Sequence, residues 1–176
     1  HHSCRSHPMC IGLLTGEIRI KKEAVIFDHR LFLHDIIGGM KRTALVIGNW
    51  KLNPSTLSDA HTLIDGVSKK YKAKEGITIA VAPPFVYLTE VAKKIGKKPV
   101  LLAAQDVSSE ALGPFTGEVS AMQLRDLKTE YVIIGHSERR GMGETDEQVQ
   151  KKVLVSLKSK LTPVVCVGER ERDTQG

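Results

Sequence analysis

The chain has 176 residues, 41% of them hydrophobic and 26% charged; that is enough for one domain with its own core, and no apolar run approaches the ~18–20 residues that span a bilayer. Its net charge of +6 comes from lysines dispersed along helical stretches (Lys69, Lys70, Lys72, Lys74; Lys93, Lys94, Lys97, Lys98; Lys151, Lys152), without an aromatic-rich basic strand, so they read as solvated faces with a mild attraction for small phosphates and not as a nucleic-acid surface. Three cysteines, with no CxxC and no Cys/His ligand spacing, point to a reducing compartment and to no zinc site.

Residues 1–39 stand apart from the rest. They hold five of the seven histidines (His1, His2, His7, His29, His34) and two of the three cysteines (Cys4, Cys10), and their apolar patches follow no sustained period. Their charge is too mixed for a transit peptide, and the order of regions is not that of a signal peptide. A His/Cys metal cluster is the sharper reading; a tail without fixed structure is the one adopted. Met40 followed by KRTALVIGNWK reads as a protein start, so 1–39 is expected to be an extension, artefactual or translated from upstream sequence. The chain opens on His, and is expected to be incomplete at that end.

From Arg42 the pattern is regular. Continuous aliphatic or β-branched runs predict strands at 43–48, 77–82, 100–104, 131–135 and 163–167, each buried on both faces. After the first come Asn49, Trp50 and Lys51. Thr56, with Asp59 three residues on, caps a helix that places Leu57, Ala60, Ile64, Val67 and Tyr71 on one face; His61 on it reads as exposed, and Gly76 follows its end. Phe85, Leu88, Ala92 and Ile95 form the stripe of a second helix that stops at Gly96. A short helix is expected around Ser120–Leu127. His136 follows YVIIG, and SERR starts another short helix. Thr145 and Gln148 form a capping box for a helix with Val149, Val153 and Leu157 inward. Cys166 reads as a small core residue in mid-strand.

Strands beginning roughly 25–35 residues apart with helices between are βα units with parallel strands. Such units build either an open doubly wound sheet or a closed barrel. The first turn, IGNWKLNP, has a single Gly and neither a dinucleotide nor a P-loop fingerprint, which disfavours the open nucleotide-binding sheet. The barrel remains: an α/β, incomplete (β/α)8 barrel with parallel strands one to five and intervening helices, whose chemistry lies past the C-terminal ends of its strands.

Three groups at those ends draw attention. The ammonium of Lys51 suits an anionic substrate and a developing oxyanion, although a loop lysine is most often a solvated charge. His136, at a helix start, is favoured in its neutral form and is a candidate donor to a carbonyl, with a structural histidine as the alternative. Glu138 either orients a neighbour such as Lys51 or pairs with Arg139 or Arg140.

The blocks IGNWKLN (47–53), AVAPPF (80–85), AAQDVS (103–108), GPFTGEVSAMQL (113–124), YVIIGHSERR (131–140) and PVVCVGE (163–169) together resemble the triosephosphate isomerase family, in order and spacing, over its first five βα units and nothing before Met40. The resemblance implies interconversion of dihydroxyacetone phosphate and glyceraldehyde 3-phosphate through an enediol(ate), in glycolysis and gluconeogenesis, in the cytoplasm, without metal or organic cofactor. The family is itself the known case of a carboxylate base, a neutral His electrophile and a closing loop. By its pattern Asn49, Lys51 and Ser137 contact substrate, Lys51 stabilises negative charge, His136 polarises the carbonyl, and Glu138 supports the site from behind. The long loop 105–117, with Phe115 and Thr116 near its tip, reaches into a partner subunit and implies a homodimer; Pro114 stands where the family commonly has Ala. The family's catalytic Glu follows the sixth strand, so the general base is expected to be absent from these residues and the chain alone inactive. A non-catalytic short protein that pairs with full-length subunits is the alternative.

Overall fold

The computed structural model describes residues 43–168. The expected 1–39 extension lies outside them, and so does Glu169 at the end of the PVVCVGE block. Ten elements follow in order: β1 (Ala44–Asn49), α1 (Leu57–Lys70), β2 (Ile77–Ala82), α2 (Phe85–Ile95), β3 (Val100–Ala104), α3 (Ala121–Asp126), β4 (Tyr131–Ile134), α4 (Ser137–Gly141), α5 (Asp146–Lys158) and β5 (Thr162–Val165). Strand ends depart from the expected ones by a residue or two. Cys166 consequently lies just past β5 and is half-buried, not mid-strand.

All four strand pairings are parallel and the sheet order is β1-β2-β3-β4-β5. Sequential order is what distinguishes a barrel from a doubly wound sheet. When each crossover has the same hand and the strand order never reverses, every helix falls on the same side. The two apolar clusters show this division. Leu45, Ala80, Ala82, Ala103, Tyr131 and Ile133 form one, without any helical residue among its buried members. Val81, Val100, Leu102, Ala104, Val132 and Ile134 alternate with them in sequence and pack with Ile64, Leu88, Leu124 and Val149 from the helices. Alternation along each strand therefore assigns one set to the barrel interior and the other to the sheet–helix layer.

The edge strands β1 and β5 depart from the both-faces-buried expectation; every residue of β5 is only half-buried. Ala44, Val46 and Gly48 are exposed, Val46 at 52%, because β1 is an edge strand and its outward face has no helix against it among the described residues.

Local chemistry places the helices. Thr56 accepts from the Asp59 N–H at 3.1 Å to start α1. Full capping boxes start α3 (Ser120 with Gln123) and α5 (Thr145 with Gln148); each such cap contributes roughly 1 kcal/mol. The Ser120–Gln123 box escaped the sequence reading. Two inward and two outward assignments need correcting. Leu57 is 40% exposed at the first position of α1. Leu157 on α5 is exposed, and the buried line there is Val149, Lys152 and Ser156, so Lys152 is not a solvated lysine. His61 is half-buried and its Nε2 is buried without a partner, since α2 packs along α1.

The turn from β4 into α4 depends on Gly135. Its φ is +71°, and an added Cβ would stand 3.2 Å from the Val149 side chain and 3.3 Å from that of Arg140. Gly135→Ala is expected to destabilise the fold by roughly 1–3 kcal/mol, from the positive φ and the crowding together. The measurement is the urea unfolding midpoint, and an unshifted midpoint would show that the turn tolerates a side chain.

Candidate active site

The C-terminal ends of β1, β3 and β4 bring the predicted residues to one rim. Asn49 closes β1, and its Oδ1 accepts the Lys51 N–H at 2.9 Å. Lys51 has φ +54°, a left-handed conformation that an L side chain rarely adopts and that neighbouring contacts must support. Support comes from Gln105, just past β3, whose Nε2 donates to the Lys51 carbonyl at 2.9 Å and to the Ala82 carbonyl at 2.8 Å. The Trp50 N–H donates to that same Ala82 carbonyl at 3.0 Å, and Trp50 packs against the sheet–helix cluster. The loop is thus stitched to the ends of β2 and β3, and the direction of the lysine side chain follows.

That side chain meets Glu138. Lys51 Nζ lies 2.8 Å from Glu138 Oε1, with both side chains about half exposed. Of the two partnerships open to Glu138 from sequence, the structure forms the one with Lys51. Arg139 instead pairs with Asp106, and Arg140 with Asp146 and the Gly135 carbonyl. The hydrogen bond from Lys51 holds the Glu138 carboxyl below the usual glutamate range, and the lysine's charge adds to it.

His136 is the N-cap of α4, and its Nδ1 accepts the Glu138 N–H at 3.2 Å. The same nitrogen lies 3.5 Å from Glu138 Oε2. One ring nitrogen cannot both accept from an N–H and donate to a carboxylate; the shorter backbone bond assigns the lone pair to Nδ1, and in the neutral ring that leaves the proton on Nε2. α4 is a five-residue helix, so the direct N–H bond, rather than a macrodipole, shapes the ring. Ser137 is exposed at the first position of α4.

Phe115 and Thr116 stand elsewhere, on the loop after β3. Both are exposed. Phe115 helps line a cleft of about 340 Å³ together with Glu118, Arg139 and Met142. Neither Lys51 nor His136 lines that cleft.

Two residues outside the sequence reading belong to this rim. Gln105 is one, and its signal was its place in the AAQDVS block directly after a strand. Asp106 is the other: it accepts from Lys152 Nζ at 2.7 and 2.8 Å through its two oxygens. Lys152 also bonds Glu144 Oε1; the lysine and glutamate side chains are 7% and 4% exposed. Its signal was a lysine three residues after Val149 on the apolar face of α5.

The arrangement offers a half-exposed ammonium and an imidazole on one rim, a pairing suited to an anionic substrate with a carbonyl to polarise. Residues 44–176 match the model of the triosephosphate isomerase family. A triosephosphate isomerase of Thermoanaerobacter sp. (strain X514) is 47% identical over 129 residues, which cover 73% of this chain and 51% of the relative. Those of Photorhabdus laumondii and Erwinia tasmaniensis are each 42% identical over 135 residues, covering 76% of this chain and 52% of theirs. The chain thus spans about half the length of the curated relatives it matches.

The Lys51–Glu138 pair has a titration signature. A depressed carboxylate contributes stability above its unfolded-state pKa and loses it as pH falls through the folded-state value. Glu138 is accordingly expected to titrate below the ordinary glutamate range, and Lys51→Met to return it toward that range. Carboxyl-carbon NMR titration reads both; equal midpoints in the two chains would mean that the pair does not persist in solution.

Proposed function

This chain belongs to the triosephosphate isomerase family, and from that premise we propose that it carries the lysine–histidine half of a triose phosphate isomerase site. The observation that supports the reading most directly is the contiguous line Lys51–Glu138–His136, joined by the 2.8 Å ion pair and the 3.2 Å backbone bond. In this reading the Lys51 ammonium attracts the anionic triose phosphate and stabilises charge on the enediolate oxygens. The Nε2–H of His136 polarises the carbonyl and passes protons between the two oxygens. Asn49 and Ser137 contact the substrate, and Glu138 aims Lys51. The reaction needs no metal or organic cofactor, and its place in glycolysis and gluconeogenesis puts the protein in the cytoplasm. Among the described residues no helix is long and apolar enough to cross a membrane.

Abstraction of the carbon-bound proton falls to a carboxylate that the family places after its sixth strand. The 176-residue chain assayed alone for isomerisation of glyceraldehyde 3-phosphate is therefore expected to show no turnover. In an extended protein that joins these residues to the family's remaining units, isomerisation is expected, and His136→Gln is expected to lower kcat by roughly 10²–10⁴-fold. An extended protein whose kcat is indifferent to His136 would end the isomerase reading.

We also propose that the active form is a homodimer. The tip of the loop after β3 carries exposed Leu112 and Phe115, and exposed Met142 borders the same cleft. Apolar side chains grouped this way call for a partner, and the tip of the same loop on a second copy is the occupant the family resemblance implies. Phe115→Glu is expected to shift the extended protein from dimer to monomer in sedimentation. A Phe115→Glu protein that stays dimeric would exclude this face as the interface.

A further inference from the structure

The contacts around the rim close into a ring that the isomerase reading does not require. Gln105 holds the Lys51 carbonyl, and Lys51 Nζ pairs with Glu138. The next residue, Arg139, reaches Asp106 Oδ2 through its Nε at 3.0 Å. Asp106 is the neighbour of Gln105, which completes the circuit. Gln105 and Glu138 therefore hold Lys51 by its backbone and by its ammonium, and their chain neighbours Asp106 and Arg139 tie those two residues to each other.

Asp106 can anchor such a ring because it is itself anchored. Both its oxygens accept from the buried Lys152 of α5, which also bonds Glu144. The cluster of Asp106, Glu144, Lys152 and Arg139 balances two carboxylates against two cations. Balance and paired partners are what make buried charge tolerable. Three of the four are held together in the interior; Arg139 alone is about half exposed, and it carries the side-chain link from the cluster to the helix that follows His136, beside the Glu144 N–H on the Arg139 carbonyl. A five-residue helix has little hydrogen bonding of its own to keep its direction, and α4 has no buried residue. Something outside it must set its angle.

We propose that Asp106, acting through Arg139, is a positioning residue that fixes α4 on the end of β3, so that Glu138 stays within reach of Lys51 and the Glu138 N–H stays on His136 Nδ1. This extends the isomerase reading, and its structural content stands without substrate. The severing variant is Arg139→Met, which leaves the Asp106–Lys152–Glu144 cluster intact; Asp106→Asn breaks the same link from the other side.

The test is carried out on the ¹⁵N-labelled 176-residue chain with no triose phosphate present. Long-range proton–nitrogen spectra report which ring nitrogen of His136 holds the proton. In the wild-type chain the pattern should be a single tautomer with its proton on Nε2. In Arg139→Met that pattern is expected to give way to exchange between both tautomers, with the unfolding midpoint nearly unchanged. Asp106→Asn should produce the same change and the double variant no more, because the two residues act as one link. Arg139→Lys, which keeps a cation at the position, should restore most of the wild-type pattern. Arg125→Gln, which removes the separate Arg125–Glu130 pair, should leave His136 untouched. An unaltered His136 pattern in Arg139→Met would overturn the proposal. So would loss of the whole fold in that variant, since the link is asked to aim a helix and not to hold the sheet. If Asp106→Asn alone fails to fold, Arg139→Met decides. A failed isomerase assay with a positive nitrogen spectrum would reject the enzyme reading and keep this one.

Discussion

The backbone of Lys51 is the constraint around which this rim is organised. A lysine at φ +54° sits in a region that costs on the order of 1–3 kcal/mol for a residue with a Cβ, and no glycine relieves it. The cost persists because the peptide is over-determined: Asn49 accepts its N–H and Gln105 donates to its carbonyl. What this conformation achieves is direction. A chain leaving β1 in the ordinary extended region would continue along the strand axis and carry the next residue away from the rim. The left-handed turn sends the Lys51 ammonium sideways along the rim, to the residue that follows His136.

The sheet order makes that sideways step short. Because β1 to β5 lie in sequence with parallel pairing, the ends of β1, β3 and β4 share one edge, and groups far apart in the chain meet without a long loop. Burial grades the charges along this edge. Glu144 and Lys152 are enclosed, Asp106 less so, and Lys51 and Glu138 are half in water. The outer pair lies in solvent, where ion pairs contribute little to folding. Its consequence is geometric: it holds an ammonium in place while the enclosed cluster supplies the rigidity. Cys166, at the end of β5, has its thiol pushed above the usual cysteine range by burial, which leaves it a weak nucleophile in line with its packing role.

Most of the architecture is legible in the sequence, and the reason is periodicity. Strands buried by a helix on one side and the barrel interior on the other are continuous apolar runs, and helices that cover a sheet carry a stripe, so β2, β3 and β4 were found nearly to the residue. Misreadings occurred where burial depends on what lies next door. Val46 looks like a core valine in sequence, and only its edge position exposes it. Lys152 looks like surface charge, and only the carboxylates of Asp106 and Glu144, 46 and 8 residues away in sequence, make its burial tolerable. His61 reads as a surface residue because α1 alone does not reveal where α2 will lie. The rim was legible as a set of residue types at strand ends. Gln105 and Asp106 were not, since their part in it is to hold other residues, and no local pattern encodes a hydrogen bond to the carbonyl of a residue 54 positions earlier.

The two donors on this rim differ in kind, and the difference follows from their partners. An ammonium has three N–H groups, and Glu138 engages one, so the charge stays anchored while the remaining hydrogens can face a ligand. An imidazole whose Nδ1 is occupied by a backbone N–H has one polar group left, the Nε2–H, and donates it without carrying a formal charge. The Glu138 N–H on His136 and the Glu138 carboxylate on Lys51 thus come from a single residue. That residue's position rests on Gly135, which lets the chain turn out of β4 directly into the helix that carries it.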